Sequence, residues 1–187
     1  MPAVPELIAG GGPEAATRLS LPVYSHRAAI LEALEAEVSI IEGETGSGKT
    51  TQVPQYLLEA AASAGTHVNV ICTQPRRISA TSVASRVAAE RGESVGRSVG
   101  YKIRLESVSS SATRILFVTT GVLLRRLSED PLLAGVSHVV VDEVHERSLD
   151  SDFLLVLLRD VLPHRPTLRV VLMSATLDAA ALSLIHI

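Results

Sequence analysis

Tryptophan is absent from this sequence, and aromatic residues make up only 3 % of the chain. A core must therefore be assembled from Val, Leu, Ile and Ala, and the 47 % hydrophobic content is enough to fold one domain. Cysteine occurs once, at Cys72. A lone thiol excludes an internal disulfide and a multi-cysteine zinc site, and it suits a reducing intracellular compartment, cytoplasm or nucleus. Because it lies in the apolar run 68–72, it reads as a buried structural thiol. No apolar run approaches the roughly 18 residues that a membrane span needs, and residues 1–20 lack the basic start and apolar centre of a secretory signal. No membrane partner is expected. An excess of positive charge is missing too, the net charge being -3. Proteins that coat nucleic acid by bulk attraction are basic, so any such contact here must come from a local cluster.

Residues 1–20 are rich in Ala, Gly and Pro and read as a flexible leader. From residue 26 onward, strand-like and helix-like segments alternate. Helices are expected over 26–37, from the glycine-rich turn through Leu58, over 79–90, over 122–127 and over 152–162. Strands are expected over 38–42, 68–73, 114–119, 138–142 and 168–173. The uninterrupted valines Val139, Val140 and Val141 suit a strand covered on both faces. This alternation predicts an α/β domain with a doubly wound, mostly parallel sheet and helices on both faces. In such sheets ligands bind at the carboxyl ends of the strands.

Gly43, Glu44, Thr45, Gly46, Ser47, Gly48, Lys49 and Thr50 fit the G-x-x-x-x-G-K-[ST] pattern, between a strand and a helix. Glycines let the backbone turn its N–H groups onto phosphate oxygens, and the following helix aims its positive end at them. Lys49 then reaches the β- and γ-phosphates of a nucleotide, and the Thr50 hydroxyl is a Mg²⁺ ligand. Downstream, the strand 138–142 ends in Asp142 and Glu143. A strand that delivers an aspartate to a phosphate loop places a second Mg²⁺ ligand there, and Glu143 is positioned to orient or deprotonate an attacking water. A nucleoside triphosphate and Mg²⁺ are the expected cofactors, with the choice of ATP over other nucleotides left open by these residues; Glu143, Lys49 and Asp142 are the expected catalytic residues. His145 near these acids does not make a zinc site, because the spacing is not H-E-x-x-H.

The run Asp142-Glu143-Val144-His145-Glu146-Arg147 resembles motif II of the DEAH/RHA group of superfamily 2 helicases, with Val144 where the group name has alanine. Residues 43–55 resemble its motif I, 73–77 its motif Ia, 119–125 its motif Ib and 174–176 its motif III. Residues 21–24 and 100–106 are also similar to family stretches. The resemblance implies a RecA-like P-loop NTPase domain and an ATP-dependent RNA helicase activity. It implies that Thr51 joins the nucleotide-binding residues and that Arg86 stacks on the adenine base. It further implies that Arg76, Arg77 and Thr120 hold a single-stranded RNA backbone, and that His145, Arg147, Ser174 and Thr176 couple nucleotide state to movement. Taken alone, an Arg-Arg pair beyond a strand is a plausible phosphate grip, through charge and forked donors. RNA rather than DNA rests on the resemblance only.

Helicases of this group close two RecA-like lobes on ATP. Residues 21–187 are expected to be the first, ATP-binding lobe, C-terminally truncated, with the second RecA-like lobe and its arginine fingers absent. Residues 181–187 are either foreign or a short native strand. An arginine finger is worth roughly 10³ to 10⁵ in rate, so the chain by itself is expected to bind Mg-ATP weakly and to hydrolyse it slowly. Two other readings stay open: a catalytically incompetent nucleotide- or RNA-binding module, and a P-loop ATPase that acts on proteins or small molecules.

Overall fold

The computed structural model describes residues 15–175. Seven strands form one sheet: β1 (Val38–Glu42), β2 (Val70–Gln74), β3 (Val99–Ile103), β4 (Glu106–Val108), β5 (Ile115–Thr119), β6 (His138–Val141) and β7 (Arg169–Ser174). Their spatial order is β1-β7-β6-β2-β5-β3-β4, and every pairing is parallel except β3 with β4. Around the sheet lie α1 (Ala15–Leu19), α2 (Arg27–Ala33), α3 (Lys49–Ser63), α4 (Arg77–Glu90), α5 (Thr120–Glu129) and α6 (Leu149–Val161). This is the doubly wound, mostly parallel α/β arrangement that the alternation of elements predicts, and it fits the RecA-like domain that the resemblance implies.

The apolar strands are explained by two cores, one on each face of the sheet. On one face Val53 and Tyr56 of α3, with Ala80, Ala84 and Val87 of α4, pack over Val70, Cys72, Phe117, Val140 and Met173. On the other, Leu123 and Leu127 of α5, with Leu154, Leu155 and Leu158 of α6, pack over Ile71, Val118, Val139, Val141 and Leu172. Alternate side chains of one strand thus point to opposite cores, so neither set can be polar. Cys72 is fully buried, and burial pushes its thiol well above the ordinary value, as befits an inert structural residue.

Three local expectations differ from what forms. The helix expected over 26–37 is a 3-10 turn at Pro22–His26 followed by α2, which stops at Ala33 so that Leu34 turns into the core. The segment 15–20, grouped with the leader, belongs to the folded domain: α1 buries Arg18 against α3. The β3–β4 hairpin lies where only a family-like stretch is noted, and its tip residue Leu105 takes a left-handed φ of 68° and is 97 % exposed.

Candidate functional site

At the carboxyl edge of the sheet, β1 runs into the loop 43–48 and then α3. Gly46 and Gly48 carry φ values of 85° and 95°, a region that favours glycine. The segment before α2 closes over this loop: Val23 N–H donates to Ser47 O at 3.1 Å. A Cβ on Gly48 would stand 2.9 Å from Leu21 Cδ1 and 3.1 Å from Val23 Cγ1. Gly48→Ala therefore meets both a left-handed φ and a crowded neighbour. We expect a stability loss of about 1–3 kcal/mol and weaker nucleotide binding, measured by thermal unfolding and by titration with a fluorescent nucleotide.

Lys49 is buried, and its Nζ donates to the carbonyls of Gly43 and Glu44 while Ser47 Oγ lies 3.4 Å away. One positive charge thus sits at the centre of the loop, at the positive end of α3. Thr50 Oγ1 donates to Asp142 Oδ2 at 2.6 Å, and Gln74 Nε2 donates to the same oxygen at 2.8 Å. Glu143 N–H donates to Asp142 Oδ1 at 2.9 Å. Phosphate loop, end of β6 and end of β2 therefore converge on one carboxylate.

Burial raises the Asp142 carboxyl above its ordinary value, against the lowering effect of those hydrogen bonds and of Lys49. The native chain therefore holds that proton more tightly than the unfolded chain does. By linkage, the Asp142 charge opposes folding as pH rises above the ordinary aspartate value of about 3.9. The stability of Asp142→Asn relative to the parent is thus expected to increase as pH rises above about 4, in thermal melts across a pH series. A difference independent of pH would contradict the burial argument.

Glu143 adopts a left-handed φ of 55°, which turns its side chain from the end of β6 toward the loop. Burial first, and the Asp142 charge second, raise its carboxyl above the usual range. That is the direction a proton acceptor for water needs. His145 links two elements: its Nε2 lies 3.4 Å from Glu143 Oε2, and its Nδ1 accepts from Ala175 N–H at 3.3 Å just beyond β7. Ser174 O in turn accepts from Gly43 N–H at 3.2 Å. Arg147 makes a forked ion pair with Asp152 at 3.0 Å. Thr176 lies outside the described residues.

A cavity of about 350 Å³ is lined by Thr45, Gly46, Gly48, Lys49, Thr50, Thr51, Arg86 and Glu143, together with Leu21, Glu90 and Ala175. The structure thus brings Arg86, 36 residues beyond Thr50 in sequence, to the same space as the loop. Beside it at the same edge of the sheet runs a larger groove of about 1250 Å³, lined by Arg76, Arg77 and Thr120. Sequence reasoning missed four further cations in its walls: Lys102 and Arg104 from the β3–β4 hairpin, and Arg125 and Arg126 from α5. Lys102, Arg104 and Arg125 lie in stretches already noted for their resemblance, and Arg126 follows directly, but only the fold brings them to one groove. Thr120 itself is buried at the start of α5, while Arg76 is exposed and 3.5 Å from Glu146.

A strand–loop–helix turn facing a strand-borne Asp-Glu pair is the arrangement found in P-loop nucleotide hydrolases. The chain matches the DEAD/DEAH box helicase family over residues 24–184, and it belongs to that family. It is similar to the DExH-box ATP-dependent RNA helicase DExH1 of Arabidopsis thaliana, 59% identical over 167 residues, covering 88% of this chain and 17% of that protein. The Putative ATP-dependent RNA helicase DHX57 of Homo sapiens is 59% identical over 169 residues, covering 89% of this chain and 12% of its own length. ATP-dependent RNA helicase DHX29 of Mus musculus is 54% identical over 171 residues, 87% of this chain and 12% of its own. The chain therefore spans only a small part of the curated relatives it matches. Among the described residues, no helix is long and apolar enough to cross a membrane.

Proposed function

We propose that this domain is the nucleotide-binding lobe of an ATP-dependent RNA helicase, acting with a second RecA-like lobe. The observation that carries the reading is the apposition of Thr50 and Asp142 at 2.6 Å in a site that also holds Lys49 and Glu143. One hydroxyl and one carboxylate match the sparse protein ligand set of Mg²⁺, which keeps waters and takes phosphate oxygens for the rest. Among the described residues there is no cluster of three or more acidic, His or Cys ligands, the kind of all-protein cage that Mg²⁺ does not need. Bound Mg²⁺ would neutralise charge on the β- and γ-phosphates. The loop N–H groups and Lys49 bind the phosphates, Thr51 and Arg86 border the rest of the nucleotide, and Glu143 accepts a proton from water.

The groove supports the RNA part of the reading. Its cations would hold a backbone, with Arg76 and Arg77 as forked phosphate donors. His145, bridging Glu143 and the end of β7, together with Ser174 and Arg147, would pass the state of the nucleotide to that groove. Thr176 would extend the same path. We place the protein inside the cell, where a single free thiol is stable.

The test combines steady-state ATPase rates, with and without single-stranded RNA, and RNA affinity across a salt series. The chain alone should turn over slowly, with Glu143→Gln slower still. It should bind RNA with an affinity that falls with salt. Charge reversal at Arg76 and Arg77 together should flatten the logarithmic salt slope by about 1.4, from roughly 0.7 per phosphate contact on a single strand. RNA binding that ignores these two arginines would overturn the groove assignment. Brisk RNA-stimulated turnover by the lone chain would overturn the need for a second lobe.

A further inference from the structure

Four polar side chains from three helices converge on one buried carboxylate outside the phosphate cradle. Glu90, the last residue of α4, is 1 % exposed. Its Oε1 accepts from Arg86 Nε at 2.8 Å, one helical turn earlier. Its Oε2 accepts from Gln52 Nε2 and from Gln55 Nε2, both at 2.8 Å and both on α3. Arg18 Nε stands 3.9 Å from the same Oε2 and donates to Gln52 Oε1 at 2.7 Å. The Arg18 Nη2 is anchored on Glu59 at 2.6 Å. A buried carboxylate is tolerated only when charge and hydrogen bonds compensate it, and its near partners among the described residues are donors.

The two oxygens divide the work. Oε2 ties Glu90 to the helix that begins at Lys49, and Oε1 holds the Nε edge of the Arg86 guanidinium. An arginine on a helix surface otherwise samples many rotamers. Bonded at Nε, the guanidinium is held at the cavity wall that it shares with Thr45 and Gly46.

We propose that Glu90 is the positioning residue for Arg86: it fixes the guanidinium plane against the nucleotide base and registers that plane to the phosphate-binding helix through Gln52 and Gln55. This rests on the reading of Arg86 as the base-contacting residue. Affinity for the base is then set by a residue whose charge is spent on protein groups.

The test separates base from phosphate. Isothermal titrations of the 187-residue chain compare Mg-ATP with magnesium tripolyphosphate, which has no base. Arg86→Ala should weaken ATP about tenfold, the scale of a partly desolvated cation–π contact, and leave tripolyphosphate unchanged. Glu90→Gln should reproduce that selective loss, and in the Arg86→Ala background it should add nothing. Glu90→Asp keeps the buried charge but withdraws it from Arg86, so it gives the same answer should Glu90→Gln fail to fold; thermal melts confirm folding. Equal losses for both ligands, or a full loss of ATP affinity from Glu90→Asp when Arg86 is already alanine, would mean a structural role and overturn the proposal. An Arg86→Ala variant that treats both ligands as the parent does would overturn the base reading itself, and the Glu90 assignment with it.

Discussion

Replacing Lys49 by alanine is expected to weaken nucleoside triphosphate binding about 100-fold, equivalent to two hydrogen bonds to charged groups at roughly 1.5 kcal/mol each. The side chain sits at the hub of the loop, and its amine is held by the carbonyls of Gly43 and Glu44. Those carbonyls pre-position the charge, so a phosphate oxygen meets an amine whose rotamer freedom is already reduced. Removing it leaves the loop N–H groups and the end of α3 as the remaining attraction. The fold should hardly notice, because the freed carbonyls lie on a part-buried loop that water reaches. Direct titration with nucleotide, beside a thermal melt, checks both halves. A loss below about threefold would mean that the amine stays tied to its own loop when phosphate arrives.

Phe117→Ala is expected to cost about 3–5 kcal/mol of stability, among the heaviest single losses the fold can suffer. The scarcity of aromatics is the reason. Only two phenylalanines occur; Phe153 is 53 % exposed, while Phe117 is fully buried in the middle of β5. There it sits in register with Cys72 on β2 and Tyr101 on β3, under α4. The surrounding core is mostly Val, Ile and Ala, short side chains that collapse only in part into the space a benzyl group leaves. At roughly 2–4 °C per kcal/mol for a domain of this size, the midpoint should fall by about 10 °C. Phe153→Ala serves as the control and should shift it by little.

The fold was legible wherever a run of apolar residues met a punctuating motif. β1 matches its expected span because Val38–Glu42 ends at Gly43, and β6 ends within one residue of expectation because Asp142 stops the valines. The hairpin was not legible: Glu106–Val108 is short and exposed, so it carries no alternation to detect. The phosphate loop and the Asp142–Glu143 pair could be located from local pattern alone, since each motif is contiguous. The network around Glu90 could not, because Arg18, Gln52, Glu59 and Glu90 are ordinary polar residues until three helices bring them together. Arg86 is intermediate: resemblance names it, and only the fold explains what holds it.

β7 lies between β1 and β6, although it is the last of the described strands in sequence. Val38 pairs with Val170, so the strand that carries the phosphate loop waits for a partner roughly 130 residues further along the chain. Among the described strands β1 has no other neighbour, so it stays unpaired until β7 has been made. Loop closure over that distance is slow and leaves apolar strand edges open meanwhile. The proposed nucleotide site is therefore expected to be completed only after β7 has been made. Its completion requires β7 between β1 and β6, where the end of that strand meets Gly43 on one side and His145 on the other.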